Sequence, residues 1–170
     1  MQVVVEGLPS TSVGTSLKLR GQSTELIVQP GPPEVVPPGQ YTLRAEPTIA
    51  LDAANNELLY ACTPDREELT VLPSTNLIVR IQCEVSSRAG LFVHVEGETG
   101  GAPAAVERVE GEGVVVYPTT TFDANVPPGP VVLTARAVTG GGIVYRPTPD
   151  RIELVLSAGR VTRVAIIYAP

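Results

Sequence analysis

The chain repeats itself, and that limits what it can fold into more than any other feature. Val3-Val4-Val5-Glu6-Gly7 returns as Val93-His94-Val95-Glu96-Gly97, and Val36-Pro37-Pro38-Gly39 returns as Val126-Pro127-Pro128-Gly129, both at an offset of 90 that also relates Gly21 to Gly111. Further along, Tyr60 matches Tyr145 and Thr63-Pro64-Asp65-Arg66 matches Thr148-Pro149-Asp150-Arg151 at an offset of 85. Such self-similarity is the mark of one folding unit built more than once. The change of offset places five extra residues in the first copy near Leu51 to Glu57, where Asp52-Ala53-Ala54-Asn55-Asn56 stands against Gly140-Gly141-Gly142. Extra loop length costs little free energy there. The expected organisation is a first repeat at 1–85, a short linker at 86–89 and a second repeat at 90–170.

Within each copy the apolar residues alternate, the period of a half-buried strand. Val3 and Val5 (Val93 and Val95 in the second copy) form a first strand. Leu17-Leu19 and Leu26-Val28 follow, then Tyr41, Leu43 and Ala45, which match Val131, Leu133 and Ala135. Leu58 and Tyr60 match Ile143 and Tyr145, Leu69-Val71 comes next, and Val79 and Ile81 match Val164 and Ile166 at the end. No stretch carries a helical period, and 16 Gly with 17 Pro in 170 residues leave little room for long helices. The expectation is all-β: two tandem seven-stranded antiparallel β-sandwiches with Val, Leu, Ile and Tyr cores.

Pro37-Pro38-Gly39-Gln40 fits a type II turn, with Gly39 supplying positive φ, whereas Pro130 after Gly129 removes the closing N–H from the second copy's version. Val-Pro-Pro-Gly-Gln-Tyr-Thr-Leu-Arg-Ala at 36–45, with the opening Val-x-Val-x-Gly strand and the closing Val-x-Ile strand, resembles the transthyretin-like repeats of bacterial surface proteins. That group includes carboxypeptidase regulatory-like domains and collagen-adhesin B-type repeats. The resemblance implies a spacer, stalk or interaction module; an Ig-like sandwich would differ mainly in strand order. Some collagen-adhesin repeats carry a Lys–Asn isopeptide bond, for which Lys18, the only lysine, and Asn76 are the candidates. Arg108 and Val161 stand at the matching places of the second copy, so no such bond forms there, and the parity of Lys18 between Leu17 and Leu19 points it to solvent.

Cys62 and Cys83 stand where the second copy has Pro147 and Tyr168, so both change together. Their parity with Leu58 and Tyr60, and with Val79 and Ile81, aims both into the same core, as a disulfide or as two buried thiols. Two thiols without a neighbouring His or further Cys cannot complete a zinc site, and no cofactor is implied. His94 is the only histidine and alternates with Val93 and Val95, so it reads as a surface residue, and no catalytic triad can be assembled around it. There is no P-loop or dinucleotide fingerprint, so no enzymatic role is expected. Glu96, Glu98, Glu107, Glu110 and Glu112 crowd the second copy, as a solvated face or as a Ca²⁺ site if strands bring them together. Asp65-Arg66 and Asp150-Arg151 read as turn caps or local ion pairs.

A net charge of -6 is the wrong sign for nucleic acid or an anionic membrane, and no apolar run approaches the roughly 20 residues of a membrane helix. Met1-Gln2 runs straight into the first strand without a secretory signal, which leaves a trimmed chain or one not exported by that route. The expected role is a non-catalytic structural module of a surface assembly, extracellular or in the cell envelope, with a virion decoration or appendage as the alternative. Its partners would be other protein subunits, including further copies of itself. The competing class is a carbohydrate- or Ca²⁺-binding surface module, with Tyr117 and Phe122 as the aromatic candidates; only 4 % aromatic content weakens it.

Overall fold

The structure, a computed structural model, describes residues 1–9, 15–110 and 113–170. Gly111 and Glu112 lie outside the described residues, as does the side chain of Glu110. The protein is all-β, with no helix among the described residues, and divides into two compact units, Met1–Ser87 and Arg88–Pro170, each with its own core.

Unit 1 contains β1 (Gln2–Glu6), β2 (Leu17–Arg20), β3 (Glu25–Val28), β4 (Gly39–Ala45), β5 (Thr48–Leu51), β6 (Glu57–Pro64), β7 (Glu68–Val71) and β8 (Ile78–Val85). One sheet runs β1-β8-β6-β5 and the other β3-β2-β4-β7. Alternation decides which side chains meet between them: Val3, Tyr60, Val79 and Ile81 from the first sheet, Leu17, Leu19, Tyr41, Leu43 and Leu69 from the second. Each such side chain, fully buried, contributes about 1.5–3 kcal/mol, so this shared face holds the unit together. Leu59 departs from strict alternation, being buried although it neighbours buried Tyr60.

Unit 2 contains β9 (Ala89–Gly97), β10 (Ala105–Glu110), β11 (Gly113–Tyr117), β12 (Thr121–Val126), β13 (Gly129–Arg136), β14 (Val138–Gly140), β15 (Ile143–Thr148), β16 (Arg151–Leu156) and β17 (Val161–Ala169). Its sheets run β11-β10-β13-β16 and β12-β9-β17-β15-β14. Leu91, Val93, Tyr145, Ile166 and Tyr168 face Val106, Tyr117, Leu133 and Leu156 across the core. Ile143, expected inward, is exposed because it sits at the tip of the β14–β15 hairpin, beyond the facing sheet.

The ladders are antiparallel except where the first and last strands of each unit meet: β1 with β8 and β9 with β17 run parallel. An immunoglobulin sandwich pairs its first strand with its second. Here the first strand lies beside the last, while the second and third form a hairpin inside one sheet. Each unit also exceeds seven strands, because the short pairs β5–β6 and β14–β15 extend one sheet of each and β12 adds an edge to unit 2. The five additional residues of unit 1 lengthen a hairpin. Val138 pairs with Tyr145 around Gly141-Gly142, both at positive φ as a tight two-residue turn requires, whereas Thr48 pairs with Tyr60 around a loop at Asp52–Asn56. Asp52 Oδ1 holds that loop by accepting from the N–H groups of Ala54 and Asn56, both at 2.8 Å.

The expected type II turn at Pro37–Gln40 does not form. Gly39 already belongs to β4, opposite Val71, and lies outside the left-handed region, while Gly129 is the glycine at positive φ. Corner geometry in unit 1 comes from Tyr41, whose Oη donates to the Pro37 carbonyl at 3.0 Å. Val131 stands at that position in unit 2 and has no hydroxyl to do the same.

Candidate functional site

Residues singled out from the sequence fall at separate places. Cys62 and Cys83 stand directly opposite each other in the β6–β8 register, with Cα atoms 4.1 Å apart, and the structure carries them as a disulfide. Unit 2 has Pro147 opposite Tyr168 at that point, and there the Tyr168 hydroxyl accepts from Ala105 N and donates to the Arg136 carbonyl, both at 3.2 Å. A bond within one sheet in unit 1 is thus replaced in unit 2 by a hydroxyl tie between sheets. Lys18 points to solvent, 2.8 Å from Glu46, whose carboxylate raises the ammonium pKa above its usual value. Asn76 lies exposed in the segment before β8.

Among the described residues, the acidic side chains singled out do not converge. Glu96 sits on β9 and Glu107 on β10, in different sheets; Glu96 pairs with His94 Nε2 at 2.9 Å and Glu107 with Arg136 at 2.8 Å. Among the described residues no three His, Cys, Asp or Glu side chains gather as a metal site would need. His94 is half-buried, with Nδ1 3.1 Å from Thr120 Oγ1. Asp65 pairs with Arg66 at 2.9 Å, and the hydrogen bond from that guanidinium holds the carboxyl below its usual range. Arg151 turns instead to Glu153, at 2.7 Å, leaving Asp150 to offer its carbonyl to Ala135 N.

Tyr117 is not a surface platform. It is 2 % exposed and belongs to a buried polar cluster that sequence reading missed. Arg108, 3 % exposed, projects inward from β10 beside Val106. Its Nε donates to Tyr117 Oη at 2.8 Å and its Nη2 to Asp123 Oδ2 at 3.0 Å, while the Tyr117 hydroxyl donates to the same carboxylate at 3.2 Å. Burial raises the Tyr117 pKa, opposed by the neighbouring guanidinium. The cluster ties β10 and β11 in one sheet to β12 in the other; Arg108 and Tyr117 are buried, while Asp123 remains 23 % exposed and its Oδ1 accepts from Asn125 N at 3.0 Å. A buried charge is tolerated only with such partners.

Phe122 stands on the outer face of β12, its ring over Gly90 and 6.3 Å from Phe92, which in turn lies beneath Arg163 at 4.6 Å. On the outer face of the other sheet, valines dominate. Val109 is 63 % exposed, Val114 56 %, Val116 53 % and Val155 75 %, with Val109 and Val114 directly paired. The corresponding face of unit 1 carries Lys18, Gln40, Thr42, Arg44, Glu68 and Thr70, with Ile27, 56 % exposed, as its large apolar residue.

No known family pattern matches the chain, and no curated protein sequence matches it. Among solved structures it is similar to the Bacillus anthracis TIE protein, at 8 % identity and a TM-score of 0.37, covering 99 % of this chain and 39 % of that one. It is similar also to GBS52, the minor pilin of Streptococcus agalactiae, at 10 % identity and a TM-score of 0.34, covering 99 % of this chain and 95 % of that one. A C-terminal fragment of the pilus adhesin SpaC from Lactobacillus rhamnosus GG shows 12 % identity and a TM-score of 0.29, with coverage of 99 % and 96 %. Scores this low place no residue of this chain against a counterpart in those proteins.

Proposed function

We propose that the chain is a non-catalytic structural module of a cell-surface assembly, made of two copies of one transthyretin-like repeat and acting through contacts with other protein subunits. The observation that carries this reading is the valine-covered outer face of unit 2. Val109, Val114, Val116 and Val155 are exposed on a sheet whose inner face already has a complete core. Exposed valines grouped on one face, here beside the Glu107–Arg136 and Arg151–Glu153 pairs, are a mark of a protein contact. The equivalent order of strands in the two units, each with its parallel first–last pair, supports descent from one repeat. A Cys62–Cys83 disulfide supports an oxidising, extracellular setting, and nothing in the fold favours a virion over a cell surface.

Several chemistry-bearing side chains are paired with one another, in the core or on the surface. Arg108, Tyr117 and Asp123 satisfy one another, and His94 is held between Glu96 and Thr120. The carbohydrate reading loses Tyr117 to the core, and the Ca²⁺ reading finds no convergence among the described residues. Calorimetric titration with CaCl₂ and with a panel of oligosaccharides is expected to give no binding heat. Micromolar binding of either would replace this reading with that of a ligand-binding module.

A further inference from the structure

Where unit 2 builds β12, unit 1 runs Gly31-Pro32-Pro33-Glu34-Val35-Val36-Pro37-Pro38 outside any strand. Proline fixes its own φ and holds the residue before it extended, so Pro32, Val36 and Pro37 have little freedom. The segment is also pinned from both sides. Glu34 N donates to the Met1 carbonyl at 2.7 Å, the Met1 ammonium donates to the Glu34 carbonyl at 2.6 Å, and Tyr41 Oη holds the Pro37 carbonyl. Val36 packs against the core of unit 1, whereas Val35 is 98 % exposed, with Pro32, Pro33 and Glu34 exposed beside it. The result is a fixed arch that presents proline rings, an aliphatic side chain and one carboxylate.

All five tyrosines are buried, so the aromatic surface left outside the two cores is Phe92 and Phe122. These two stand opposite each other on β9 and β12, half-buried on the outer face, with ring centroids 6.3 Å apart. Gly90 makes room for the Phe122 ring, which a Cβ there would meet at 3.1 Å. The Arg163 guanidinium lies 4.6 Å from the Phe92 centroid, and the neighbouring Glu96 is taken up by His94 at 2.9 Å. The surface is thus aromatic and, through Arg163, cationic. Unit 1 has Gln2 and Pro32 at the positions of the two rings, so neither unit carries both surfaces.

We propose that the arch at 32–36 of one copy docks on the Phe92–Phe122 face of a second copy. Extended proline-rich segments are read by flat aromatic surfaces, and one already held in shape loses little freedom on binding. Val35 gains the cover its own unit does not give it, and the Glu34 carboxylate comes against the Arg163 side of the face. A second copy is the occupant because the same chain supplies both halves, a proline arch bearing a carboxylate and a ring pair bearing a guanidinium. The arch belongs to unit 1 and the rings to unit 2, so the contact joins unlike surfaces and is heterologous. This names a partner for the module proposed above and rests on that reading only for its setting; a strictly monomeric chain would remove the contact and leave the module standing.

Sedimentation equilibrium of the intact chain across a concentration series tests it. The native chain is expected to associate as concentration rises. Val35→Glu, which spoils the arch, and Phe122→Ser, which spoils the face, are each expected to weaken self-association at least ten-fold. An equimolar mixture of the two is expected to form a dimer and nothing larger, since one variant keeps an intact face and the other an intact arch. Val35 is fully exposed, so its variant is expected to keep the native circular dichroism and melting profile. Ala165→Glu, at an exposed position of β17 opposite His94, is a second face variant that leaves the half-buried ring in place and is expected to act as Phe122→Ser does. A chain that stays monomeric throughout overturns the proposal. So does association indifferent to Val35→Glu or to both face variants, or a mixture that stays monomeric.

Discussion

Arg108 shows how a single side chain can sit on the wrong side of a sequence comparison. A uniform offset of 90 sets it against Lys18, an outward residue. The ladders place it differently: Leu19 faces Leu43 in unit 1 and Arg108 faces Leu133 in unit 2, so Arg108 holds the position of Leu19, inside the core. Because side chains alternate with period two, that slip of one residue exchanges core for solvent. The guanidinium is stable there because Tyr117 and Asp123 satisfy it, and those partners are joined to it only by folding. Asp123→Ala is expected to destabilise unit 2 by about 3 kcal/mol, since it removes the carboxylate that faces a buried guanidinium. Arg108→Leu together with Asp123→Ala and Tyr117→Phe, which removes all three polar groups and restores the apolar solution of unit 1, is expected to lie within about 1 kcal/mol of the native stability. Chemical denaturation of the two variants decides it; equal losses in both would mean the cluster does not work as a charge pair.

At the scale of elements, the strands with clean alternation were legible and those without it were not. β12 carries Asp123 and Asn125 between its apolar residues, and β5 and β14 are short strands at sheet edges, so none stood out. The Val-x-Val-x-Gly motif, by contrast, has a physical explanation in the fold. Gly7 and Gly97 end the parallel first strands at φ 84 and 90, and a Cβ at either would run into the carbonyl oxygen of Cys83 or Tyr168 on the last strand. Here glycine is required twice over, by backbone conformation and by the closeness of the neighbouring chain. Gly97→Ala is expected to destabilise unit 2 by about 3 kcal/mol, against about 1 kcal/mol for Gly101→Ser, whose added side chain meets open space and whose cost is limited to its positive φ. Thermal unfolding followed by far-ultraviolet circular dichroism measures both, and equal shifts would remove the steric part of the explanation.

For the whole molecule, two separate cores mean that stability can be altered in one unit at a time. The disulfide belongs to unit 1 alone and closes a loop with a sequence separation of 21. Chain-entropy reasoning values such a closure at about 3 kcal/mol. Cys62→Ser with Cys83→Ser, or reduction of the native chain, is expected to lower the unfolding transition of unit 1 by that amount and leave unit 2 unchanged. Scanning calorimetry with and without reductant, alongside a thiol count by mass spectrometry, is the measurement; one transition that moves as a whole would show that the units unfold together. By itself the sequence determined the all-β class, the position of most strands and the alternating core, because these depend on local periodicity and on turn-forming residues. Only tertiary structure decided the parallel first–last pairing, the burial of Arg108 and Tyr117 and the corner held by Tyr41. Each of those depends on which strands become neighbours, and partners far apart in the chain leave no mark in local pattern.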